Sequence, residues 1–128
     1  MNWKSAVFVL ASVAMLTALA PSASAHHGGR VEWQDWVDGP IVGVATEFAF
    51  RFPHVLIFID VKDDIGTVQR WALNTRWTPT ILRGHGWTRD SIKPGDTIEV
   101  TYQPHVRQPT VANMVTLKVN GKELPLQF

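Results

Sequence analysis

Val55 to Val61 (VLIFIDV) constrains this chain more than any other segment. It is a continuous apolar run rich in β-branched and aromatic residues, which pack well on a pleated surface and poorly on a helix. It is too short for an ordinary helix, and its unbroken apolar character predicts a strand buried on both faces. Other runs are organised around it. Ile41 to Phe50 alternates, with Val42, Val44, Thr46, Phe48 and Phe50 on one face and Gly43, Ala45, Glu47 and Ala49 on the other. Asp63-Asp64-Ile65-Gly66 reads as a turn, so Val68 to Leu73 is expected to fold back on the apolar run as a hairpin.

The second half changes character. Thr78 is a good N-cap and Pro79 suits the first helical position, which starts a helix of a turn or two that Gly84 and Gly86 stop. Lys93-Pro94-Gly95-Asp96 fits a type II turn. Thr97 to Tyr102 and Met114 to Val119 are the fourth and fifth strands. Asn120-Gly121 is a tight-turn signal, so Lys122 to Leu126 is expected to return as a short extra strand. Trp33 and Trp36, three residues apart, fit one helical turn that docks its indoles on the domain. The order β-β-β-short α-β-β predicts an all-β fold, a small five- to six-stranded OB-like Greek-key barrel. A β-sandwich is the alternative, although it leaves the helix harder to place.

Residues 1–25 read as a signal peptide. Lys4 supplies the positive start, Ala6 to Ala20 the uncharged apolar stretch, Pro21 the helix break, and Ala23-Ser24-Ala25 the small residues before a cleavage point. A spanning helix needs about 20 apolar residues, more than this run offers. No transmembrane anchor is therefore expected after processing, and the protein is expected to be periplasmic or secreted. The processed chain, residues 26–128, is read as a single β-barrel domain. Only Lys4 of the 12 Lys and Arg lies in the leader, which leaves 11 against 11 Asp and Glu. That balance argues against nucleic acid as a partner, which calls for a basic excess. The chain has no cysteine, so disulfide chemistry, thiol catalysis and Cys-ligated zinc are excluded.

Cleavage after Ala25 would make His26 the N-terminus, followed by His27. The α-amine and Nδ1 of one histidine close a chelate ring that suits Cu(II), which binds most tightly of the divalent series. The amine loses its proton readily, since its ordinary pKa is about 7.7–8.0. The second position offers a further mode through amine, backbone amide and imidazole. A further ligand has to come from the fold, and His54 and His105, each in a Pro-His-Val frame at a strand end, are the candidates. Copper is the metal this arrangement favours. Against it stands the absence of compact ligand spacing such as H-E-x-x-H.

A binding module is the reading from another class. OB-like barrels present their second and third strands to ligands. Trp71, Trp77 and Arg76 would form an aromatic-plus-Arg surface there, with Trp87 and Arg70 nearby. The competing role for Trp71 and Trp87 is core, since a domain of this size draws much of its burial from its largest side chains. The partner is then a small ligand or a periplasmic protein. Enzymatic function is not expected: there is no G-x-S-x-G, no cysteine nucleophile and no phosphate-binding glycine loop. Asp60, Asp63 and Asp64 with Glu47 offer carboxylates, but Asp63-Asp64 is more economically a turn.

Several phrases together resemble a family of small exported bacterial proteins catalogued only as a domain of unknown function. They are His26-His27 after Ala-Ser-Ala, Phe52-Pro53-His54-Val55 entering the apolar strand, Asp60-Val61-Lys62-Asp63 before a glycine turn, and Trp71-Ala72. Gly86-Trp87-Thr88-Arg89-Asp90-Ser91 running into Lys93-Pro94-Gly95-Asp96 completes the set. The resemblance covers most of the processed chain. It implies export and a barrel-like β fold, and it implies no activity. Family members commonly carry Asn before the Pro-His pair, where this chain has Phe52.

Overall fold

The strand signals fold into six strands and one short helix in the computed structural model, which describes residues 32–128. The expected signal peptide, His26 and His27 lie outside the described residues. In chain order the elements are β1 (Asp38–Ala49), β2 (Leu56–Lys62), β3 (Val68–Asn74), α1 (Pro79–Gly84), β4 (Thr97–Pro104), β5 (Val111–Val119) and β6 (Lys122–Glu123). The sheet runs β3-β2-β1-β4-β5-β6, and β3 also pairs with β5. That pairing is parallel, Ala72 with Val111 and Asn74 with Asn113, and it closes β1 to β5 into a barrel. The connectivity is that of an OB-like Greek-key barrel, with α1 between the third and fourth strands. A sandwich has no such closing ladder.

β1 belongs to both halves of the barrel. Its first half pairs with β4, from Asp38 with Tyr102 to Val44 with Thr97. Its second half pairs with β2, from Val44 with Asp60 to Ala49 with Leu56. A bulge between Ala45 and Glu47 marks the changeover. It also switches which side chains face the core. Gly43 and Ala45 point inward before the bulge, so Val42 and Val44 are exposed, against the simple alternation expected from sequence. At Gly43 the barrel wall is too tight for a side chain. A Cβ there would lie 2.7 Å from the Asp60 carbonyl oxygen and 2.9 Å from Ile59 Cδ1.

β2 is the apolar run, and one of its faces is fully buried: Val55, Ile57 and Ile59 have no accessible surface. Leu56, Phe58 and Asp60, on the other face, are only half-buried. Burial on both faces does not occur, because a closed barrel has one interior and the outer face meets solvent. The hairpin to β3 forms as expected, with Asp63 Oδ1 accepting from the backbone N–H groups of Ile65 and Thr67 at 3.0 and 2.8 Å. Asp60 pairs with Arg70 across that hairpin at 2.8 Å, and the guanidinium holds its carboxyl below the usual range.

Thr78 caps α1, accepting from Ile81 N–H at 3.3 Å, and Pro79 opens the helix. Leu82 and Trp87 drive into the core beside Leu73, Ile98, Val100, Met114 and Leu117. The turn before β4 is held by Asp96, whose carboxylate accepts from Lys93 N–H and from Asn120 Nδ2 at 2.8 and 3.0 Å. Those bonds favour the charged form and lower its pKa. The N-terminal segment differs from expectation. Trp33 docks through a β-bridge to His105 rather than a helical turn, and Trp36 is exposed. Strand pairing satisfies its backbone groups directly, as Gln34 N–H donates to the Pro104 carbonyl at 2.8 Å.

Gly43→Ala is expected to destabilise the barrel by about 1–3 kcal/mol, because backbone rather than a flexible side chain blocks the new methyl. Gly84→Ala, where nothing lies within 4 Å of the added Cβ, is the control and is expected to be neutral or mildly stabilising. Urea midpoints of the two variants measure the contrast.

Candidate functional site

Two backbone links and one side-chain link tie the segment after β3 to the residue before β2. Val55 N–H donates to the Trp77 carbonyl at 2.9 Å, Thr75 N–H donates to the Val55 carbonyl at 3.2 Å, and the buried Thr75 hydroxyl donates to the same Val55 carbonyl at 2.9 Å. Within the segment the Thr75 hydroxyl also accepts from Trp77 N–H at 3.1 Å. Residues 75 and 77 are thereby pinned, and Arg76 arches between them at φ 68°. This is left-handed backbone that non-glycine residues seldom adopt. Asn74 supports it, its Oδ1 accepting from Arg76 N–H at 2.9 Å. Strained backbone held by its surroundings is typical of functional loops. The arch projects the Arg76 guanidinium toward β4, where Nη2 donates to Gln103 Oε1 at 2.6 Å.

The Trp77 indole faces the C-terminal segment. Its Nε1 donates to the Leu126 carbonyl at 2.9 Å, and Trp87 Nε1 donates to the Pro125 carbonyl at 3.1 Å. Phe128 packs against Trp77 with ring centroids 5.5 Å apart, and stacks on His85 at 3.6 Å. Two indole N–H groups therefore hold the segment after β6 against the barrel.

Between this segment, the Arg76 arch and the paired strands β4 and β5 lies a cleft of about 260 Å³. Arg76, Trp77, Gln103, Asn113, Val115 and Gln127 are among its lining residues. Among the described residues that line it there is no carboxylate, and Arg76 is the one formal charge. Asn113 is 2% exposed. Its Nδ2 makes only long contacts, 3.4 Å to Gln103 Oε1 and 3.5 Å to the Met114 carbonyl, and its Oδ1 has no hydrogen-bond partner among the described residues. A buried acceptor left unpaired costs about 1–3 kcal/mol, so its retention calls for an explanation.

Arg76 and Trp77 thus come together in one concave site. Trp71 does not join them. It lies on the same face of β3 as buried Leu73 and packs edge-on against Tyr102 at 5.3 Å. Its Nε1 is also buried without a partner among the described residues. Burial, and the negative charge of Asp38, raise the pKa of Tyr102 at that end of the barrel. Asn113 and Gln103 escaped the sequence reading. Nothing local marks them, since their meeting depends on the β4–β5 register.

The candidate metal-binding histidines are placed apart. His54 is exposed just before β2, beside the end of β1. His105 follows β4, beside the start of β1. They flank opposite ends of β1. His105 is also engaged locally: its Nδ1 accepts from the N–H groups of Arg107 and Gln108, each at 3.1 Å. A metal at Nδ1 would displace both donors. Among the described residues, no group of three or more His, Asp or Glu is placed to hold a metal ion. Among them too, no helix is long and apolar enough to cross a membrane.

Trp77→Phe is expected to lower stability by about 1 kcal/mol through the lost bond to Leu126. It should also speed amide exchange in residues 124–127 more than in β2, which exchange-detected NMR would resolve.

The profile of the Family of unknown function (DUF6152) matches residues 13–112. No curated protein and no solved structure matches the chain. The match spans most of the sequence, including the barrel from β1 through the start of β5, and the chain belongs to this family.

Proposed function

We propose that this chain is an exported, non-catalytic binding module that takes a small non-metal ligand in the cleft beside Arg76. The observation that carries this reading is Asn113, a buried amide at the wall of a cleft with an acceptor that none of the described residues satisfies. A concave site with an aromatic wall and a few convergent polar groups is the usual form of a ligand pocket. The surrounding device is rigid: the Thr75 links fix the arch, and the barrel fixes Gln103 and Asn113. The cleft lies where the β3–α1 connection meets β4 and β5, rather than on the outer face of the second and third strands.

Titration of the labelled protein with a panel of small acids, amides and sugars tests it. Saturable chemical-shift changes are expected at Arg76, the Trp77 indole, Gln103 and Asn113. Asn113→Leu is expected to abolish them while raising stability by about 1 kcal/mol, because it removes an unpaired polar group at similar volume. A panel that leaves these resonances unmoved sinks the reading, as does a ligand whose shifts survive Asn113→Leu.

A second reading, copper held by the processed terminus, is favoured by one observation: His26 and His27 follow Ala23-Ser24-Ala25. It treats amine and imidazole as the primary chelate. The placement of His54 and His105 at opposite ends of β1 means that at most one of them approaches the same ion. Copper titration of protein beginning at His26 should give tight binding that one extra glycine ahead of His26 weakens severely. Equal binding by both forms, or none by either, removes this reading.

A further inference from the structure

We infer that the cleft selects a small carboxylic acid with an apolar body, its carboxylate held by Arg76; this rests on the binding reading above. The first ground is charge. Arg76 is the one charged group among the described residues of the cleft wall. The ion pairs among the described residues join Arg51 with Glu47, Arg70 with Asp60 and Lys118 with Glu99, and none involves Arg76. Its contact with Gln103 is to a neutral amide oxygen, which occupies one of five guanidinium donors. A planar fork with donors to spare matches a carboxylate in bidentate geometry.

The second ground is the backbone. Placing an arginine at φ 68° is unfavourable by itself, yet the Thr75 and Asn74 bonds hold it there. The consequence of that arrangement is to aim the side chain across the cleft at β4 rather than out along the loop. The third ground is the rest of the wall. Val37, Trp77, Met114, Val115 and Leu126 supply apolar surface, and the described wall residues include no acidic side chain to repel an anion. Gln103 and Asn113 add neutral polar groups beside the guanidinium.

The apolar wall separates this assignment from a site for inorganic anions. Sulfate and phosphate match the guanidinium but gain nothing from Trp77 or Leu126. A carboxylic acid with a flat or aliphatic body uses both.

Benzoate and benzamide, nearly identical in shape and differing in charge, are the test, with sulfate as a third probe. At pH 7 benzoate should shift the Trp77 indole and Asn113 resonances with an affinity about tenfold above that of benzamide, the margin expected for a charge-assisted bond over a neutral one. Arg76→Gln should erase the difference by weakening benzoate alone, and Arg76→Lys should restore part of it. Raised salt should weaken benzoate and spare benzamide, because Arg76 is exposed.

Benzamide binding the cleft as tightly as benzoate overturns the acid assignment and leaves the binding reading standing. Benzoate binding that survives Arg76→Gln overturns it in the same way. Sulfate competing as strongly as benzoate overturns the role given to the apolar wall. A cleft silent to all three probes overturns this inference, and one silent to the whole panel overturns the binding reading as well.

Discussion

The parallel ladder between β3 and β5 is the interaction on which the rest of the structure depends. Three residue pairs, Ala72 with Val111, Leu73 with Ala112 and Asn74 with Asn113, join strands otherwise linked only through the sheet. The ladder covers the end of β3 and the start of β5, whose unpaired backbone would otherwise invite pairing with other chains. It also creates a single interior, into which Val55, Ile57, Ile59, Leu73, Ile98 and Val100 bury their side chains. With no cysteine in the chain, that interior carries stability without help from disulfides.

Closure also builds the cleft. The last ladder pair sets Asn74 beside Asn113, and Asn74 is the residue whose side chain supports the Arg76 arch. The β4–β5 register sets Gln103 opposite Asn113. The guanidinium, the two amides and the Trp77 indole are therefore brought together by strand pairing, not by proximity in sequence. The same geometry explains why the C-terminal segment matters. Leu126 and Gln127 form one wall, and the Trp77 indole N–H holds that wall in place.

The histidines show how the barrel separates residues that look alike in sequence. His54 and His105 share a Pro-His-Val frame, yet β1 spans the distance between them, since its two ends pair with β2 and β4. His105 serves the turn after β4, accepting two backbone N–H groups and packing on Trp33. The copper reading therefore rests on the processed terminus far more than on the rim of the barrel.

The chain's own residues determined the element order, because each signal is local. β-branched runs resist helix, Thr78-Pro79 starts one, and Asp63 to Gly66 and Asn120-Gly121 turn the chain. They also determined that Arg76 and Trp77 belong to a connection between elements, where a binding surface is easily built. Tertiary structure alone decided three further matters. The bulge in β1 set which of its residues face inward, since a one-residue shift reverses every side chain beyond it. The single interior of a closed barrel left the outer face of β2 half-exposed. The pairing of β4 with β5 and of β3 with β5 brought Gln103 and Asn113 to Arg76. Long-range register depends on how the whole sheet closes, and no short stretch of sequence records that.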